Sequence, residues 1–135
     1  MTPHRFDHEK LRVYQEALRF GAFADAVLTE LPAKLAARDQ LDRASTSILL
    51  NIAEGNGKRS KVDRCRYLDI ARGDALECAA CLDLLVIKKL LVPERAAEGK
   101  TLLVGIVSML VGLLDTFGGA VNEEQEAYLT SRDHE

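Results

Sequence analysis

Apolar residues recur at steps of three and four through most of this chain, a spacing that suits an α-helix with one buried stripe. Tyr14, Ala17, Gly21, Ala24, Leu28 and Leu31 form the first stripe. Leu41, Ala44, Ile48 and Ile52 form the second, and Leu68, Ala71, Ala75, Cys78, Leu82 and Leu85 the third. Leu103, Ile106, Leu110, Leu113 and Phe117 form the fourth. No run sustains a period of two, so strands are not expected.

Helix punctuation falls between the stripes. Asp7 is a candidate N-cap for the first helix and Pro32 marks its end. Gly55 and Gly57 are expected to stop the second helix by adopting the left-handed conformation that glycine tolerates. Ser60 reads as the cap of the third, with Asp63 three residues on. Pro93 restarts the chain, and Gly118-Gly119 is expected to close the fourth helix. Helices at roughly 7–31, 34–56, 60–91 and 94–117 predict an all-α, antiparallel up-down four-helix bundle, one domain over 1–117. From Asp115 onward six acids face one Arg132, so 118–135 is expected to be an acidic, disordered tail.

With 5% aromatic residues and no Trp, the core must come from Leu, Ile, Val and Ala. A formal charge of −3 gives no global pull toward nucleic acid or an anionic membrane. The start, "MTPHRFDHEK", lacks the apolar region of a secretory signal. The longest uncharged stretch, Thr101 to Leu114, is shorter than the ~18–20 residues of a membrane span. Three cysteines, an odd number, argue against a disulfide framework. A cytoplasmic protein without a membrane partner is the expectation.

"TLLVGIVSMLVGLL" is apolar nearly all the way round. A bundle helix needs one apolar face, and the fourth stripe already supplies it. Leu102, Val107, Met109, Val111 and Leu114 are left over. Exposed together they would form a patch that soluble monomers avoid. Gly105 and Gly112, seven apart, would let another helix approach closely. Leu102, Gly105, Met109 and Gly112 are therefore the expected oligomer interface, the alternative being a central helix wrapped by loops.

Most chemical motifs fail on context. Gly55-Asn56-Gly57-Lys58-Arg59-Ser60 follows a helix and lacks the spacing of a phosphate loop. Cys78 and Cys81 lie inside a helix, and Cys78 is on the core stripe, so they read as small hydrophobes. His4, His8 and His134 sit at the chain ends, and zinc would need more ligands than the cysteines supply. No catalytic constellation, metal or cofactor is expected, and the chain reads as non-enzymatic.

Two polar features stand out. From Lys58 to Arg72 there are six cations (Lys58, Arg59, Lys61, Arg64, Arg66, Arg72) against Asp63 and Asp69. The first five are candidate nucleic-acid contacts, or else a solvated helix start. Gln40, Arg43, Ser47, Asn51, Glu54 and Lys58 fall within an arc of about 80° on the second helix. This stripe is either a packing seam against another polar face or an exposed face. A different class of function, a small-ligand binder or enzyme, would use Arg43, Asn51 and Glu54 as a polar pocket.

"QLDRASTSILLNIAEGNGKRS", followed by "YLDIARGDALE", resembles the bacterial four-helix bundle protein family first noticed in intervening sequences of large-subunit ribosomal RNA. One branch of it holds the accessory variability determinant of diversity-generating retroelements. The positions that match its signature are Gln40, Arg43, Ser47, Asn51, Glu54, Gly55 and Gly57, then Leu68, Ala71, Gly73 and Glu77. Leu49 stands where the family usually has Pro, and Asp74 where Ser is common. The resemblance implies a compact four-helix subunit, a homopentameric barrel and, for the retroelement branch, a reverse-transcriptase or RNA partner on a basic surface.

Overall fold

The structure, a computed structural model, describes the backbone of residues 5–133 and the side chains as far as Gly118. His4, His134 and Glu135 lie outside the described residues. A 3-10 turn, Asp7–Lys10, leads into α1 (Arg12–Thr29), α2 (Ala36–Asn56), α3 (Lys61–Ile87) and α4 (Pro93–Asp133). α2–α3 and α3–α4 pack most extensively, and α1 closes the ring against α2 and α4. No α1–α3 or α2–α4 packing occurs among the described residues. Sequence neighbours are thus spatial neighbours on short connections, which makes the molecule an up-down four-helix bundle.

The stripes of α2 and α3 lie where their spacing puts them. Leu41, Ala44, Ile48 and Ile52 are buried, as are Leu68, Ala71, Ala75, Cys78, Leu82 and Leu85. In α4, Leu103, Ile106 and Leu110 fill the core, while Leu113 and Phe117 pack against it half-buried. In α1 the buried line is Val13, Ala17, Phe20, Ala24, Val27 and Leu28. Tyr14 and Gly21 are only half-buried, because the helix turns so that the large Phe20 ring points inward.

Several boundary residues behave differently from the sequence expectation. Asp7 does not cap a helix by its side chain; its carboxylate accepts from Asn56 Nδ2 at 3.0 Å, tying the N-terminus to the end of α2. No described glycine has a positive φ, so the Gly-Asn-Gly segment is not a left-handed stop. Gly57 stays right-handed at φ −81. Gly55 is instead the contact point of α2 with α3: a Cβ there would lie 2.9 Å from Tyr67 Cβ. Ser60 does cap α3, accepting the Asp63 N–H at 3.2 Å.

The left-handed position falls elsewhere, at Lys89 with φ 60. It closes α3 with the paired bonds of a Schellman turn: Leu90 N donates to Leu85 O and Lys89 N to Val86 O, both at 3.0 Å. Gly118-Gly119 does not stop α4, whose backbone is helical through to Asp133. The stretch expected to be a disordered tail is therefore helical backbone as far as that residue. Two glycines inside one helix cost about 1 kcal/mol each relative to Ala, too little to break a long segment.

Candidate functional site

The end of the bundle where α2 passes into α3 gathers the basic residues. Arg64 is held inward: its Nε donates to Lys58 O at 2.7 Å, and its guanidinium lies 5.4 Å from the Phe117 ring of α4. Lys58 Nζ sits 5.0 Å from the Tyr67 ring. Arg66 pairs with Asp63 at 2.6 Å on the exposed first turn of α3. Arg59 and Lys61 are exposed and make no ion pair among the described residues. The five candidate cations thus share one end, but only Arg59 and Lys61 present uncommitted charge. α3 begins at the same end, and its N-terminal dipole adds positive potential.

The polar stripe of α2 divides. Ser47 donates its hydroxyl hydrogen to Asp74 of α3, and Asn51 Nδ2 donates to Ser47 Oγ at 2.8 Å and Ser47 O at 2.9 Å. These groups are half-buried between the two helices, where a satisfied network fixes register more than it adds stability. Gln40, Arg43 and Glu54 stand exposed on the same side of α2. Arg43, Asn51 and Glu54 therefore differ in environment, and the Asn51 amide is already spent on Ser47.

Apolar surface is concentrated on α3 and α4. A cleft of about 450 Å³ between them is lined by Leu76 and Ala79 of α3 and by Leu103, Val104 and Val107 of α4. Val104 is 69% exposed and Leu76 52%. Ile70, Leu84, Ile87 and Val111 are further exposed apolar side chains on these two helices. Pro93–Gly118 is long and apolar enough, with a mean hydropathy of 1.9, to meet the length and composition of a membrane span. Leu103, Ile106 and Leu110 of this segment lie in the bundle core, so the helix is apolar on more than its inner face.

The four expected interface positions lie on the opposite flank of α4. Leu102 and Met109 are half-buried against the core. Met109 and Gly112 line a second cleft of about 370 Å³, bordered by Leu11 and by Arg12 and Val13 at the start of α1. A Cβ added at Gly105 or Gly112 would meet nothing within 4 Å, so neither is glycine because of packing inside the subunit. The α3 contribution, Leu76 with Ile70, Leu84 and Ile87, did not enter the sequence reading. Its signal was present: α3 carries apolar residues on the side away from its core stripe as well as on the stripe.

The cysteines add no reactive centre. Cys78 and Cys81 are buried, and desolvation raises both thiols, with neighbouring negative groups raising them further. Cys65 is shifted the same way, by burial and then by Asp69. Raised thiols hold little thiolate at neutral pH. No group of three or more metal-ligating side chains gathers among the described residues.

Fold and surfaces together define a class: a small antiparallel four-helix bundle with an apolar flank and one basic end. Over residues 9–112 the chain matches the model of the family described as 23S rRNA-intervening sequence protein, and it belongs to that family. Among solved structures it is similar to a protein of unknown function from the S23 ribosomal protein family of Bacteroides thetaiotaomicron VPI-5482. The TM-score is 0.72 at 24% identity, covering 76% of this chain and 97% of that one, which speaks for the fold alone. No curated protein matches the chain. Neither description carries an enzymatic activity.

Proposed function

We propose that the protein is a non-enzymatic, cytoplasmic homo-oligomeric scaffold that assembles through the α3–α4 flank and presents its basic end to an anionic macromolecular partner. One observation carries the reading: Leu76 and Val104 face each other across an exposed apolar cleft on a bundle whose core is already complete. Burying such side chains is worth about 1.5–3 kcal/mol each, so association is favoured over leaving them in water. Gly105 and Gly112 extend the uncovered surface around α4. A pentamer is the assembly that the family resemblance favours.

RNA, or a reverse-transcriptase-like protein that itself handles nucleic acid, is the partner class for the basic end. Arg59 and Lys61 supply the free charge, with Lys58, Arg64 and Arg66 around them. An enzymatic pocket on Arg43, Asn51 and Glu54 has less support, since two of the three are exposed and the third is bonded within its helix. Native mass spectrometry without detergent tests the assembly: several copies are expected, and a monomer would overturn it. For the partner, Lys58→Glu/Arg59→Glu is expected to abolish salt-sensitive RNA binding, each lost phosphate contact reducing the salt slope by about 0.7–0.9. Binding insensitive to this reversal, or none at low salt, counts against RNA.

A further inference from the structure

α4 is the helix with apolar surface to spare, and its spare positions repeat in steps of seven. Val104 and Val111 are exposed, and Val104 forms the cleft with Leu76 on the side that borders α3. Gly112 lines the other cleft, with Leu11 and Met109, on the side that borders α1. Gly105 lies two turns before Gly112 on the same line. A Cβ at either glycine would meet nothing within 4 Å. One helix thus carries a valine ridge on one side and a side-chain-free groove on the other, with matching spacing. Packing inside the subunit uses neither.

The directions of ridge and groove fit a closed ring. Successive residues turn by about 100°, so Val104 and Gly105 point about 100° apart, as do Val111 and Gly112. The two directions fall on either side of the line opposite the core residues Leu103, Ile106 and Leu110. In a ring of parallel helices each helix touches two neighbours, and those directions enclose the interior angle of a polygon. That angle is about 90° for four copies, about 108° for five and about 120° for six, so four or five copies suit α4. Height agrees as well. Cyclic symmetry brings the same level of every copy together, and Val104 stands one residue, ~1.5 Å, from Gly105 along the axis. The bisector of the two directions points away from the core, toward the axis of the ring. Thr101, Ser108 and Asp115, exposed and seven residues apart, lie along it. A polar line between ridge and groove suits a water-filled bore. A two-fold pairing of flank on flank would leave the glycine side uncovered.

We propose that the subunits close into a ring around α4. Val104 and Val111 of one copy seat on Gly105 and Gly112 of the next, and Thr101 and Ser108 line the bore. The inference rests on the reading that another copy covers the α3–α4 flank, and it names the surface that does so.

Sedimentation velocity tests it on the unmodified chain, on Leu76→Glu/Val104→Glu, on Gly105→Leu/Gly112→Leu and on an equimolar mixture of the two variants. The leucines enter open space within the subunit, so both variants should fold, which circular dichroism checks. Each variant alone should be monomeric. The mixture should give a dimer, because the intact ridge of the glycine variant meets the intact groove of the flank variant and no second contact can follow. A glycine variant as large as the unmodified chain, or a mixture that stays monomeric, overturns the ring, while an assembled unmodified chain still keeps the flank reading. A monomeric unmodified chain overturns both. Air oxidation of Val104→Cys/Gly105→Cys in a Cys65→Ser background gives a second readout. Covalent products longer than two chains are expected, and products that stop at two overturn the ring.

Discussion

The outer faces of α1 and α3 show how differently two helices of one bundle can treat water. α1 sends Val13, Ala17, Phe20, Ala24 and Val27 inward and shows water Arg12, Arg19 and Asp25, with Leu18 its lone large exposed apolar side chain. α3 buries a stripe just as complete, yet also exposes Val62, Ile70, Leu76, Leu84 and Ile87. α4 repeats the α3 pattern with Val104 and Val111. One flank of the molecule therefore shows water a mainly polar face, and the other exposes apolar side chains beyond its core stripe. The glycines divide by the room around them, Gly21 of α1 and Gly73 of α3 being as open as Gly105 and Gly112 of α4. Gly55 and Gly99 are glycine because a neighbour inside the subunit leaves no room, whereas Gly105 and Gly112 face open space.

That division can be broken by substitution. The largest effect is expected at Gly99, where a Cβ would collide with the Phe23 ring and lie 2.8 Å from Leu82 Cδ1. Overpacking of this kind costs about 1–3 kcal/mol, so Gly99→Ala should lower the midpoint of urea unfolding. Gly105→Ala should hold or raise subunit stability by up to ~1 kcal/mol through helix propensity, while weakening assembly if α4 is approached closely there. A similar loss for both variants would erase the distinction between inner and outer glycines.

An effect of intermediate size should come from pH. The unfolded Cys78 thiol ionises around 9.0, whereas burial holds the folded thiol well above that value. Stability is then fully present below pH 9 and falls as pH rises past it, by up to about 1.4 kcal/mol per pH unit for this group. Cys78→Ala should unfold more easily at neutral pH but show a shallower alkaline decline, read from denaturant melts at several pH values. The smallest effect is local. Lys89→Gly should stabilise by about 1 kcal/mol, because it relieves a left-handed backbone position without touching either flank.

The sequence showed the inner half of this picture more clearly than the outer half. Every residue that the three-and-four spacing picked in α2 and α3 is buried, since burial selects one angular stripe, and the core adds Ala37, Gly55 and Cys81 to them. In α1 it found Ala17, Ala24, Leu28 and Leu31 but took Tyr14 and Gly21 where Val13, Phe20 and Val27 are buried, because both sets fit the period and only packing decides between them. Glycine-based stops were misplaced because Gly is ambiguous in sequence: Gly55 serves a helix crossing, and the left-handed residue is a lysine. Of the candidate surfaces, the basic end was visible as a charge run, though not which cations are spent on Phe117, Tyr67 and Asp63. The α3 flank was hidden because its outward apolar residues are interleaved with Asp69, Glu77 and Asp83, which mask their common face.

The central claim is that the α3–α4 flank, and not the α1 face, is built to be covered by another copy. Sedimentation velocity on Leu76→Glu/Val104→Glu beside Leu18→Glu tests it most directly, with circular dichroism to confirm that both fold. The account predicts that the flank variant sediments as a helical monomer while the α1 variant keeps the size of the unmodified protein. A monomeric unmodified protein, or a flank variant that stays assembled, would contradict it.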